Sequence, residues 1–128
     1  MPLEIKLLVW SVALAFAQCL VAVVGAMLQV GLPTLAGNRE GLPAMTGWAG
    51  RAERAHRNML QSLVLFAALV LAAQVMSRLD ATTALGAQLF FWGRLAYAAV
   101  YLIGLPWIRT GVWAVSIVGL VLIFVRLV

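Results

Sequence analysis

From Leu7 to Asn38 the chain carries no charged side chain, and nothing else in it constrains the fold so strongly. A helix needs about 20 mostly apolar residues to cross a hydrocarbon core of about 30 Å, and Leu7 to Val30 supplies a first such run. Asn58 to Ser77 is a second uncharged run. Ala81 to Ile108 is a third, interrupted once by Arg94. Thr110 to Val125 is short, but it reaches a usable length with Trp107 and Arg126 at the two interfaces. The expected fold is all-α, an integral membrane four-helix bundle in a single domain, with spans near residues 5–30, 50–77, 82–104 and 107–127.

Composition agrees with this reading. The chain is 65% hydrophobic and 10% charged, against roughly 45–50% and 25% in an ordinary soluble domain. A soluble enzyme is excluded for want of polar surface, and a disordered chain for excess of apolar residues. The N-terminal run is read as a retained helix. Its flank Met1 to Lys6 includes Glu4, and its apolar stretch far exceeds the roughly 7–15 residues of a signal-peptide core. Gly31 to Gly50, rich in Gly and Pro, is expected to be the one sizeable non-helical connection. Arg78 to Thr82 and Gly104-Leu105-Pro106 are expected to be tight turns. Asp80 near Thr82 suggests cap chemistry, and Lys6 and Arg126 suggest interface anchors.

Nine Lys and Arg against four Asp and Glu leave a net charge of +5, with no basic block of the kind that binds nucleic acid. Anionic lipid or a small anionic molecule is the expected partner. Arg39, Arg51, Arg54, Arg57 and Arg109 fall on one side of the four spans and Lys6, Arg78 and Arg126 on the other, which puts both termini on the non-cytoplasmic side. The single cysteine, Cys19, excludes an intramolecular disulfide and reads as a small buried residue. With His56 as the only histidine, no multi-histidine metal site is expected within one chain.

The stretch Arg51-Ala52-Glu53-Arg54-Ala55-His56-Arg57-Asn58-Met59-Leu60-Gln61-Ser62 leads directly into the second span. At about 100° per residue, Arg51, Arg54, Asn58, Gln61 and Ser62 fall in one sector, so the helix carries a polar stripe into the membrane. Glu53 and Arg57 can pair at i, i+4 to one side, and His56 points away from the stripe. A solvated helix end with snorkelling arginines accounts for Arg51 and Arg57. It accounts poorly for Asn58 and Gln61, which reach deeper, and a binding face is the favoured reading. In the third span Arg94, Tyr97 and Tyr101 share a face. An arginine at the centre of a span costs about 2.5–3.5 kcal/mol on insertion scales and needs an acceptor. Glu53, Gln61, the tyrosine hydroxyls, backbone carbonyls, a neighbouring subunit or a ligand are the candidates, and a structural node and a ligand role stand equal. Arg109, at the start of the last helix, suits an anion, a thiolate or a lipid phosphate.

Taken together, Arg51-x-x-Arg54-Ala-His56-x-Asn58-x-x-Gln61, Arg94-x-x-Tyr97-x-x-x-Tyr101 and Arg109 resemble the MAPEG family, membrane-associated proteins in eicosanoid and glutathione metabolism, over nearly the whole chain. The resemblance implies a trimer of four-helix bundles holding glutathione, as co-substrate, between adjacent subunits. It assigns Arg51, Arg54, Asn58, Gln61, Tyr97 and Tyr101 to glutathione binding, supporting roles to Arg94 and His56, and to Arg109 the holding of the glutathione sulfur as thiolate. This chain departs from the family pattern at Gln61, Ser62 and Val64, where Glu, an aromatic residue and Pro are usual. Loss of that Glu implies weaker or altered glutathione binding. The expected function is a glutathione-dependent transferase or peroxidase acting on a lipophilic electrophile. A non-catalytic trimer of the same fold, binding lipid or a partner protein, is the alternative. A small proton-coupled drug transporter is disfavoured, because the first helix has no carboxylate after Glu4.

Overall fold

A computed structural model describes residues 1–37, 41, 42 and 44–128. Arg39 and Pro43, used above in reading orientation and the long connection, lie outside the described residues. Five helices follow in order: α1 (Leu3–Val30), α2 (Leu32–Ala36), α3 (Gly47–Val75), α4 (Ala81–Ile103) and α5 (Pro106–Leu127). There is no strand among the described residues.

α1, α3 and α5 are long and apolar enough to cross a membrane. α4, at 23 residues, has the length, but Gln88, Arg94, Tyr97 and Tyr101 make it less apolar. Only 17, 28 and 22% of the most apolar stretches of α1, α3 and α5 is buried within the chain. The side chains left outside include Trp10, Phe16, Leu28, Val64, Leu65, Leu71, Val121 and Phe124. So much exposed apolar surface on several helices is stable only in an apolar solvent. The protein is a membrane helical bundle.

Hydrocarbon solvates an outward Leu as well as the core does, so helix association in lipid rests on close packing and hydrogen bonds. α4 and α5 show the close packing. A Cβ at Gly86 would stand 2.6 Å from the Gly119 carbonyl oxygen and 2.8 Å from Ile123, so the two backbones meet at this point only because Gly86 lacks one. Their turn is short because Gly104 takes a left-handed φ of +92° and donates its N–H to the Val100 carbonyl at 2.9 Å. Pro106 then opens α5, where its missing N–H costs no hydrogen bond. Adjoining this contact, α1, α3, α4 and α5 enclose Leu7, Met59, Phe66, Val70, Ala87, Phe90, Leu120 and Ile123. The Phe66 and Phe90 rings stack there with centroids 4.1 Å apart.

Several expectations need correction. Gly31 to Gly50 is not wholly irregular, since Leu32–Ala36 forms a helical turn with Pro33 in its first positions and α3 begins at Gly47. The two ends of this connection are clamped: the Gln29 amide donates to the Thr46 carbonyl at 2.6 Å and accepts the Thr46 N–H at 3.1 Å. Arg126 is not merely an interface anchor, because it pairs with Asp80 at 2.6 Å. Asp80 is itself the N-cap of α4, accepting the Thr82 and Thr83 N–H groups, while its own N–H donates to Thr83 Oγ1. Glu4, read only as a flanking charge, is buried and accepts the Thr83 hydroxyl at 2.7 Å, joining α1 to α4.

Candidate functional site

At the opposite end of the bundle from Glu4 and Asp80, the polar stripe of α3 faces α4. Arg51 donates through Nε to the Leu102 carbonyl at 3.0 Å. It thereby satisfies a carbonyl of the last turn of α4, where a cation also meets the negative end of the helix dipole. One turn further, Arg54 Nε donates to the Tyr101 hydroxyl at 3.1 Å. Another turn on, Asn58 Oδ1 accepts from the Arg94 guanidinium at 2.7 Å. The i, i+3 and i, i+4 spacing that made a stripe in the sequence thus becomes a ladder of contacts between two helices.

Arg94 is 1% exposed and is among the largest fully buried side chains of the molecule. Its Cζ lies 4.3 Å from the centroid of the Tyr97 ring, so an aromatic face covers it from one side. Within the chain its acceptor is neither of the two side chains named first from the sequence: Glu53 pairs instead with Arg57 at 2.9 Å, and Gln61 is exposed. Asn58 takes the role, and Arg94 Nε and Nη1 are buried with no hydrogen-bond partner among the described residues. A hydrogen bond to a charged group contributes roughly 1.5–3 kcal/mol, so Asn58 matters to the fold as well as to any ligand.

α5 completes the cluster. Arg109 Cζ stands 4.6 Å from the Tyr101 ring centroid, and the Tyr97 and Tyr101 rings are 5.4 Å apart. Arg54, Tyr101, Arg109, Tyr97, Arg94 and Asn58 therefore form one unbroken set of contacts across α3, α4 and α5. Asn58, Tyr97, Arg109, Thr110 and Trp113 line a cleft of about 190 Å³ within it. Trp113 was not anticipated; it stands one turn after Arg109, and that i+4 spacing on the same helix was the available signal. Thr110 donates its hydroxyl back to the Pro106 carbonyl at 3.1 Å, bonding within its own helix as well as bordering the cleft.

Two expected site residues lie elsewhere. Gln61 is exposed and does not line the cleft. His56 is on another face of α3, where with Cys19, Glu53 and apolar residues of α1 and α2 it lines a larger cavity of about 550 Å³. Cys19 is thus only partly buried. No group of three or more His, Cys, Asp or Glu suited to a metal ion occurs among the described residues.

A membrane bundle with two arginines and two tyrosines on facing helices, and a further arginine at the head of the last, fits the family suggested by the sequence. Among protein-family models, that of the MAPEG family matches residues 7–128, nearly the whole chain. The chain belongs to the MAPEG family. No curated protein and no solved structure matches it. Membership makes this an integral membrane protein of a family that includes glutathione-dependent transferases and peroxidases as well as non-catalytic members.

Proposed function

We propose that this MAPEG protein is a glutathione-dependent transferase or peroxidase that works on a lipophilic electrophile drawn from the bilayer. The observation that carries the reading is the unbroken set of contacts that joins Arg54, Tyr101, Arg109, Tyr97, Arg94 and Asn58 across three helices, beside a cleft lined by Asn58, Tyr97 and Arg109. Such a set holds a ligand with carboxylates, and glutathione has two. Arg54, Tyr97, Tyr101 and Asn58 bind the tripeptide, Arg51 adds positive charge beside them, and Arg94 supports Asn58 and Tyr97 from behind. Arg109 lowers the pKa of the thiol and raises the fraction present as thiolate. The sulfur attacks the electrophilic carbon, a sulfur–carbon bond forms, and the leaving group departs with its electron pair, stabilised by the same cations and hydroxyl donors.

The functional unit is a homotrimer with sites between subunits, in which all four long helices span the membrane and both termini face away from the cytoplasm. The size of the cleft supports assembly. At about 190 Å³ it falls below the roughly 300–1,000 Å³ of ordinary ligand sites, so a second subunit is needed to enclose a tripeptide. Gln61, which is exposed and outside the cluster in the single chain, is open to such a neighbour.

Conjugation of glutathione to chlorodinitrobenzene by the detergent-purified protein tests the reading. Saturable turnover that is abolished in Arg54→Ala supports it. An intact trimer that neither binds nor turns over glutathione would instead identify a non-catalytic member holding lipid or a partner protein.

A further inference from the structure

We infer that the groove between the first turns of α1 and the first half of α4 is a binding site for one anionic phospholipid, with Lys6 on the lipid phosphate. The groove lies toward the Glu4 end of the bundle, away from the arginine and tyrosine cluster, and its reading stands whether or not that cluster holds glutathione.

The two helices run in the same direction here. The Thr83 hydroxyl donates to Glu4 Oε2 at 2.7 Å, which sets the first turn of α1 level with the first turn of α4, and further along Leu14 and Leu95 border one apolar pocket. The groove itself, of about 480 Å³, takes Lys6 and Trp10 from α1 and Gln88, Phe91, Trp92 and Leu95 from α4. Both sets follow the i, i+3, i+4, i+7 spacing of one helix face. At about 1.5 Å per residue from the Glu4–Thr83 level, Lys6 lies about 3 Å along the bundle, Gln88 about 8, Trp10 about 9, Trp92 about 14 and Leu95 about 18 Å. From Lys6 to Leu95 is thus about 15 Å, half of a hydrocarbon core of about 30 Å.

Ammonium, amide, indoles and then an aliphatic side chain is the polarity order of one lipid leaflet read inwards from the phosphate. The exposed Lys6 ammonium can only donate, and a phosphate oxygen accepts. The Gln88 amide, exposed on an otherwise apolar face, sits at the depth of the ester carbonyls. Trp10 and Trp92 are 55 and 60% exposed, and their amphipathic rings suit the interfacial layer just beneath. Phe91 packs edge-on against Trp92, with centroids 5.1 Å apart, and fixes that wall of the groove. Lys6 and Trp10 also border a second hollow of about 450 Å³ with Met1 and Val9. A hollow on each side of the Lys6–Trp10 ridge suits a headgroup that carries two chains. Charge favours lipid over a second copy of the chain. A neighbour in the same orientation would bring Lys6, Arg78 and Arg126 against Glu4 and Asp80 at this end, a net positive charge that repels Lys6, whereas an anionic headgroup attracts it.

Tryptophan quenching by brominated phospholipids tests this on the full-length protein reconstituted in phosphatidylcholine bilayers. The emission of Trp10 and Trp92 is taken as the difference between wild type and the Trp10→Phe, Trp92→Phe double variant. Brominated phosphatidylglycerol should quench it at a mole fraction about fivefold below that needed of brominated phosphatidylcholine, the preference that one lysine near the surface supplies. In Lys6→Gln the two lipids should quench alike, and in Lys6→Arg the preference should persist. Lys6, Trp10 and Trp92 are all exposed, so these substitutions leave the buried core intact. Equal quenching by the two lipids in wild type is the behaviour of bulk bilayer and would overturn the inference, as would a preference that survives Lys6→Gln. Emission of Trp10 and Trp92 that neither lipid quenches would also overturn it and would identify this face as a contact between subunits. Glutathione conjugation is read separately, so failure here leaves the proposed activity standing.

Discussion

The Asn58–Arg94 contact is where residue chemistry most directly decides behaviour. Removing the acceptor in Asn58→Ala leaves a buried guanidinium with no hydrogen bond, and thermal unfolding in detergent should show a loss of roughly 1.5–3 kcal/mol. Asn58→Asp retains the acceptor and should unfold near the wild-type temperature. The distinction matters because loss of ligand binding in Asn58→Ala alone could follow from the fold. Asp80 gives a prediction in pH. The backbone N–H of Thr83 above all, with Arg126 and Thr82 assisting and burial opposing, holds its carboxyl below the ordinary aspartate value. Because the folded-state pKa is depressed, the contribution to stability is present above the unfolded-state value and is lost as pH falls through the folded one. Melting temperature followed into acid should therefore fall less in Asp80→Asn than in wild type. Residue by residue, the sequence was informative about identity and poor about partners. Arg94 visibly needed an acceptor, but Asn58 lies 36 positions away, and nothing local says that two helices will bring them together. Glu4 was misread for the same reason, since its burial depends on the first turn of α4.

At the scale of elements, the α4–α5 hairpin is fixed by the absence of side chains. Gly86→Ala would drive a methyl group to 2.6 Å from the Gly119 carbonyl, and forced overpacking of this kind costs about 1–3 kcal/mol. Gly111→Ala is the matched control, because a Cβ there meets nothing within 4 Å. It should leave the melting temperature unchanged or raise it slightly through better helix propensity. Helix positions were legible because charges and Gly-Pro clusters punctuate the apolar runs, and the observed helices begin and end within three residues of the expected spans. The short α2 was missed because Gly and Pro were read as breakers throughout residues 31–50, although proline in a first turn favours a helix. Spacing placed Arg54 and Asn58 on one face of α3 and Tyr97 and Tyr101 on one face of α4. It could not show that these faces meet, or that α5 would bring Arg109 against Tyr101.

For the whole molecule, the net charge of +5 acquires a location. Arg51, Arg54, Arg94 and Arg109 gather where α3, α4 and α5 converge, while Arg57, Arg78 and Arg126 are engaged with Glu53, the Leu127 carbonyl and Asp80. An anionic ligand in that cluster would offset repulsion that the bare protein bears. Saturating glutathione should therefore raise the melting temperature, by about 2.7 kcal/mol of added stability at a hundred times Kd. The central claim is that Arg109 holds the glutathione sulfur as thiolate in this cluster. Thiolate absorbance of the glutathione complex at neutral pH, compared between wild type and Arg109→Ala, tests it most directly. The expected result is a saturable thiolate signal in wild type that is lost in the variant while glutathione still binds. A wild-type protein saturated with glutathione and showing no thiolate signal would contradict the account.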